Sequence, residues 1–222
     1  MRRPGGGARY GQGMSDGDFE FERKFFVPEL PTAALREPHP ALIVQSYFLA
    51  ADGYALRIRL QGAAPAGTLP TWGDERELLE AAADTFTFCA LTAKGPYVGG
   101  TRYEAERELD VTAGLAMVRL GGDLVAKLRY SLWLGADGWV VDSFLGRNEP
   151  LVVAECERGG PVTDLAIPDF CLSEVTDDPR FANDALATSP YSHWSADYGR
   201  ELETDGPRFL TEFGTNQLGL PS

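Results

Sequence analysis

Charged side chains in this chain recur at i, i+2 spacing, and within several short stretches they keep one sign. "FEFERKF" (19–25) carries Glu20, Glu22 and Lys24. "LRIRL" carries Arg57 and Arg59, "AKLRY" carries Lys127 and Arg129, and "AECER" carries Glu155 and Glu157. "TRYEAERELD" strings together Arg102, Glu104, Glu106 and Glu108, while Lys94 and Asp142 stand near the edges of further segments. Guanidinium and ammonium groups clamp phosphate oxygens. Paired carboxylates hold a hard cation such as Mg²⁺, whose remaining positions go to water or to substrate phosphates. A cavity offering both sets suits a metal-bound polyanion. Without a ligand the acids and bases would partly neutralise each other.

A period of two places alternate side chains on opposite faces of a strand. Opposite Glu20, Glu22 and Lys24 stand Phe19, Phe21, Phe25 and Arg23; opposite Arg57 and Arg59 stand Leu56, Ile58 and Leu60. The same pattern predicts strands over 19–27, 41–50, 54–61, 86–94, 101–111, 124–134, 138–145 and 151–158. Turn signals separate them: "ADG" (51–53), "KGPYVGG" (94–100) and "GADG" (135–138), with Asp52-Gly53 and Asp137-Gly138 as hairpin markers. The spacing suggests an antiparallel, meander-like β protein. Two architectures fit it. One is an open sheet whose wet face carries charges of both signs. The other is a closed barrel with a polar interior, favoured by the one-sign pairs and by opposite faces apolar enough to be covered from outside.

Helices are few. "GDERELLEAAADTF" reads as one, with Asp74 as N-cap and Glu77 three residues on, inside a stretch (62–85) that looks like an insertion. Residues 114–122 suggest a short helix. Residues 173–187 suggest one or two turns starting at Asp177 or Asp178, before Pro179. From Ser189 onward the chain reads as a loose C-terminal arm (189–222). Residues 1–17 read as a Gly-rich, disordered leader, and Met14 as a natural start.

With 222 residues, 44% of them hydrophobic, the chain can bury a real core. Its net charge of -13 argues against non-specific binding of nucleic acid or anionic membrane. No apolar run is long enough for a membrane span. Cys89, Cys156 and Cys171 form no CxxC pair, so a reducing cytoplasm is the expected compartment. Two histidines, His39 and His193, make a His-based zinc site improbable, and "KGPYVGG" lacks the GK[ST] of a phosphate loop. Cys156 reads as core, and Trp133 and Trp139 as packing or interface aromatics. An outward apolar face leaves a homodimer open.

Taken in order, the segments resemble the CYTH superfamily, the triphosphate tunnel metalloenzymes. "EFERK" matches the Glu-x-Glu-x-Lys signature. "LRIRL" resembles the family's arginine strand, "LTAKGP" its lysine strand, "RYEAERELD" its central acidic strand and "AKLRY" its Lys/Arg strand. "VDSFLG" and "LVVAECE" resemble the closing acidic strands, and "SEVTDDPRFANDALA" the helix that plugs or flanks one tunnel mouth. The resemblance spans roughly 18–188 and implies a mainly β, α+β fold: a closed antiparallel eight-stranded barrel with a few flanking helices.

By that resemblance Glu20, Glu22, Glu155 and Glu157 would carry Mg²⁺ or Mn²⁺, with Glu104, Glu106 and Asp142 able to hold a second ion or position water. Lys24, Arg57, Arg59, Lys94, Arg102, Lys127 and Arg129 would hold phosphates. The implied reaction is metal-dependent hydrolysis of a triphosphate, with inorganic tripolyphosphate the expected substrate. Lys127, Tyr47 and Glu106 are the expected catalytic groups, Tyr47 matching a tyrosine that partners the lysine in some bacterial members. Rival readings are a thiamine or nucleotide triphosphatase, a class IV adenylyl cyclase, or a non-catalytic module that binds polyphosphate or nucleotides. The 62–85 insertion and Ser46, where glycine is frequent, depart from the pattern.

Overall fold

The alternating segments form eight antiparallel strands in the computed structural model, which describes residues 19–64, 74–96, 98 and 101–222. They are β1 (Phe19–Val27), β2 (Ala41–Ala51), β3 (Tyr54–Ala63), β4 (Phe86–Lys94), β5 (Thr101–Glu108), β6 (Asp123–Leu134), β7 (Asp137–Phe144) and β8 (Val152–Arg158). Their neighbour order is β1-β5-β4-β3-β2-β6-β7-β8, and β8 pairs back onto β1 from Phe21↔Arg158 to Val27↔Val152. The sheet is therefore a closed barrel. Of the two architectures the sequence allows, the polar-interior one is correct. The β1–β5 seam is short, with only Phe19–Phe21 paired; further along the same edge, β10 (Ser173–Glu174) pairs with Phe25 and Phe26.

The outward faces are mostly apolar and mostly covered, the exception being β5, where Tyr103 and Arg107 stay exposed. A one-turn helix, α1 (Thr32–Leu35), follows β1. α2 (Glu75–Ala81) and α3 (Val111–Leu120) pack on Leu42, Val44, Ile58, Leu60 and Cys89. Gly114 of α3 sits so close to Cys89 that a methyl group there would overlap Sγ. On the other side, Phe25, Trp139, Val141 and Cys156 are covered by the chain after β8, which includes β9 (Ala166–Pro168) and a parallel partner, β11 (Gln217–Leu220). Arg23 points into this apolar wall and is buried. It donates to both carboxylate oxygens of Glu174 (2.8 and 2.6 Å) and to Asn216 Oδ1 (2.8 Å), which compensates its desolvation.

A third core closes one end of the barrel. Tyr47, Val125, Phe144 and Leu151 meet Val175, Phe181, Leu186, Tyr191 and Tyr198 there. The last of these come from a plug built by α4 (Asn183–Thr188) and α5 (Ser195–Asp205). The segment after Ser189, expected to be a loose arm, is thus folded. Edge-to-face pairs such as Phe181–Tyr198 (5.0 Å) and Tyr191–Trp194 (4.8 Å) hold it, and Arg180 lies against Trp194 and Tyr198 while pairing with Asp178 and Glu201. Most of its aromatics fall in short turns, and α5 carries only Tyr198 and Leu202 as large apolar residues, so the pattern hid it.

β5 ends at Glu108, short of the expected 111, because Asp110 caps α3 by accepting from Ala113 N (2.9 Å). The proposed leader, Met14 and residues 65–73 of the insertion lie outside the described residues. Among the described residues, no helix is long and apolar enough to cross a membrane.

Candidate active site

Closure turns the charged faces of all these strands onto one interior, where they form two ion-paired walls. On the first, Lys24 Nζ lies 3.1 Å from Glu22 and 2.9 Å from Glu155. Arg129 donates to Asp142 through Nε and Nη2 (both 2.7 Å) and to Glu155 (3.0 Å). Lys127 Nζ donates to Asp142 Oδ2 (2.6 Å) and to Asn183 Oδ1 (3.2 Å). On the second wall, Lys94 pairs with Glu20 (2.8 Å) and with Glu104. Arg57 lies 3.5 Å from Glu104, and Arg59 2.9 Å from Glu106, which also accepts from the Thr92 hydroxyl (3.0 Å).

A cavity of about 600 Å³ opens between these walls and the plug. Glu22, Lys24, Tyr47, Arg57, Lys94 and Arg102 line it. Arg59, Lys127 and Arg129 do not reach its surface, and Lys127 is only 1% exposed. Arg102 has no ion-pair partner among the described residues, and the buried Nε atoms of Arg57, Arg59 and Arg102 make no hydrogen bond. Unspent guanidinium donors in a closed polar interior suit an anion.

The carboxylates fall into two groups. Asp142 is fully buried, with both oxygens engaged by Lys127 and Arg129, and Glu155 gives one oxygen each to Lys24 and Arg129. Both are thus ion-paired with cations of the same wall. Burial works against the ionised form of Glu155, but Lys24, Lys127 and Arg129 hold it well below the usual carboxylate range. In Glu157, desolvation and the facing Glu20, Glu22, Glu155 and Glu104 push the pKa up. Glu22 and Glu157 are direct cross-strand partners. This excess of negative charge, presented through oxygen alone, suits a hard divalent cation. Among the described residues, no three acidic, cysteine or histidine side chains converge as a complete ligand group, so other oxygens would have to finish the coordination sphere.

Two expected catalytic placements differ. Tyr47 does not partner Lys127: its hydroxyl donates to Gln45 (3.1 Å) and accepts from Arg57 (3.5 Å). The register explains this, since Tyr47 lies opposite Arg57 whereas Lys127 lies opposite Ile43, four residues along β2. Glu106 is exposed and held by Arg59 and Thr92 away from the cavity. Burial and the adjacent Arg129 lower the Lys127 pKa to about 8 against the pull of Asp142. In Lys24, Glu155 and Glu22 outweigh burial and raise it. Asn183, from the plug, also lines the cavity and was absent from the charge pattern, because a single amide beside an aspartate carries no periodic signal.

No family model matches the chain. Over 106 residues it is 37% identical to an inorganic triphosphatase of Acetivibrio thermocellus, an overlap of 47% of this chain and 68% of that protein. Over 176 residues it is 32% identical to an inorganic triphosphatase of Nitrosomonas europaea, covering 77% of this chain and 97% of the other. The crystal structure of an inorganic triphosphatase superposes with a TM-score of 0.50 at 28% identity, over 77% of this chain and 95% of that one. Identity at this level runs through nearly the whole Nitrosomonas protein and is matched by the barrel geometry, so the chain belongs to the CYTH superfamily, the triphosphate tunnel metalloenzymes.

Proposed function

We propose that the chain hydrolyses inorganic tripolyphosphate inside the barrel, with Mg²⁺ or Mn²⁺ as cofactor. The observation that carries this reading is the cavity wall itself: Lys24, Arg57, Lys94 and Arg102 converge on one space, with guanidinium donors left unspent. The relatives that align with the chain are named for the same reaction. Glu20, Glu22, Glu104 and Glu157 would hold the cation. When bound, it would offset charge on the phosphoryl oxygens and activate water.

The chain's own groups supply positioning and charge, which is most of what phosphoryl transfer requires. Lys24, Arg57 and Lys94 exchange their carboxylate partners for phosphate oxygens, Arg102 adds a guanidinium with no carboxylate to give up among the described residues, and the four fix the chain of phosphates along the barrel. Arg59 and Arg129 reinforce that field from within the walls. Lys127, still largely protonated at neutral pH, adds its charge from behind the cavity wall, where it meets Asp142 and Asn183, and the neutral Tyr47 hydroxyl orients Arg57. Lys24, Arg57 and Lys94 are mostly buried, so their interactions are stronger than at a surface.

The test is phosphate release from tripolyphosphate, ATP, thiamine triphosphate and pyrophosphate, each with Mg²⁺, Mn²⁺ or EDTA. Metal-dependent turnover fastest with tripolyphosphate is expected. Preference for an organic triphosphate would overturn the substrate, and metal-dependent binding without release would overturn catalysis.

A further inference from the structure

We infer that Asn183 is a further binding and positioning residue of this site, holding the Lys127 ammonium with its amide oxygen and a substrate phosphate with its amide nitrogen. The inference rests on the tripolyphosphate reading. Lysine has donors only, so the group that meets Lys127 Nζ at 3.2 Å must be the Asn183 oxygen. The amide nitrogen is thereby turned away from Lys127, and it makes no hydrogen bond among the described residues. Lys127 itself is almost completely buried and absent from the cavity wall, where Asn183 stands in front of it.

The rest of the fold holds this amide in place. From the turn after β7, Asn148 Nδ2 donates to Leu186 O (3.2 Å) and Arg147 Nη2 donates to Ala187 O (3.4 Å). Asn148 Oδ1 accepts from Tyr191 N (2.8 Å), so one fully buried side chain grips both ends of the turn that leaves α4. α4 is fixed at its C-terminal end, which sets the depth at which Asn183 enters the barrel. An amide suits this place: it accepts from a cation on one side and donates to an anion on the other, without adding charge to either.

Three variants test this: Asn183→Ala, Asn183→Asp and Asn148→Ala, the last loosening the plug without touching Lys127. Two readouts apply, tripolyphosphate hydrolysis and calorimetric binding of tripolyphosphate in EDTA, with thermal melts confirming the fold. Losing a hydrogen bond to a charged partner is expected to lower kcat/KM of Asn183→Ala by about tenfold to a hundredfold. Asn183→Asp keeps an acceptor for Lys127 but loses the donor and adds a charge facing phosphate. Its KM should therefore rise most, with kcat staying closer to that of the unaltered protein than in Asn183→Ala.

Asn183→Ala within about twofold of the unaltered protein in both readouts would overturn the inference. So would Asn148→Ala reproducing the same split between kcat and KM, because plug placement alone would then suffice. If the unaltered protein binds tripolyphosphate but releases no phosphate, the proposed function fails, and the EDTA binding series still decides the role of Asn183. An unaltered protein that neither binds nor hydrolyses it overturns both.

Discussion

Replacing Asp142 with asparagine tests whether the empty barrel is stabilised by mutual neutralisation. Asp142 is fully buried and takes one hydrogen bond from Lys127 and two from Arg129. The amide conserves shape but leaves two neighbouring cations, with Glu155 the remaining carboxylate on Arg129 (3.0 Å). Breaking a buried pair from one side costs about 3–5 kcal/mol. Arg129 keeps Glu155 and is a quarter exposed, which places the expected loss near the lower end, about 3 kcal/mol. For a chain of this length that is a fall in Tm of roughly 6–12 °C.

Tripolyphosphate then restores negative charge beside the two cations. A ligand at a hundred times its Kd stabilises a protein by about 2.7 kcal/mol, and the variant's tighter hold on the polyanion should enlarge that gain. The assay is a thermal melt in EDTA, with and without tripolyphosphate, for both proteins. A loss of Tm under about 2 °C, or equal stabilisation of both proteins by the ligand, would refute the reasoning.

Lys127 titrates near pH 8, so kcat/KM, which reports the free enzyme, should fall as pH rises through that value; a rise would instead make Lys127 a general base. The folded pKa of Lys127 lies below the ordinary 10.5, so between about pH 8 and 10.5 the unfolded chain binds more protons, and this group adds stability as pH rises. Lys127→Met should abolish that increment when melts are compared across the window. Gly114→Ala should destabilise by about 1–3 kcal/mol in urea titration, because the new methyl overlaps Cys89 Sγ, and Cys89→Ala should recover most of the loss if that clash is the cause.

Local alternation made the strands and their charged faces legible, and Asp52-Gly53 does form its hairpin, both residues having positive φ (52° and 80°). Asp137-Gly138 does not: the turn falls at Gly135–Ala136 and Asp137 already belongs to β7. Barrel closure was beyond local reading because β1 pairs with β8 and β5, both distant in sequence, and only their registers join the two walls. The same limit hid the true partner of Tyr47, which depends on a four-residue offset along β2. Arg23 looked like an exception on an apolar face, because Glu174 and Asn216 arrive from far along the chain. Asp142 and Glu155 were recognisable as interior carboxylates, but which cations meet them depends on the pairing of β6, β7, β8 and β1.

The long reach of those Arg23 contacts has a consequence for synthesis. β1 leaves the ribosome before the other strands of the barrel, yet its main partner β8 lies well over a hundred residues later, and the Glu174 and Asn216 that neutralise and bond Arg23 later still. Until then β1 keeps the β8 edge open and a Phe-rich face uncovered, the combination that invites wrong strand pairing. High separation between contacting residues also slows the search for the native pairing. The exposure time of that first strand, rather than the overall stability of the finished fold, is therefore expected to set chaperone dependence.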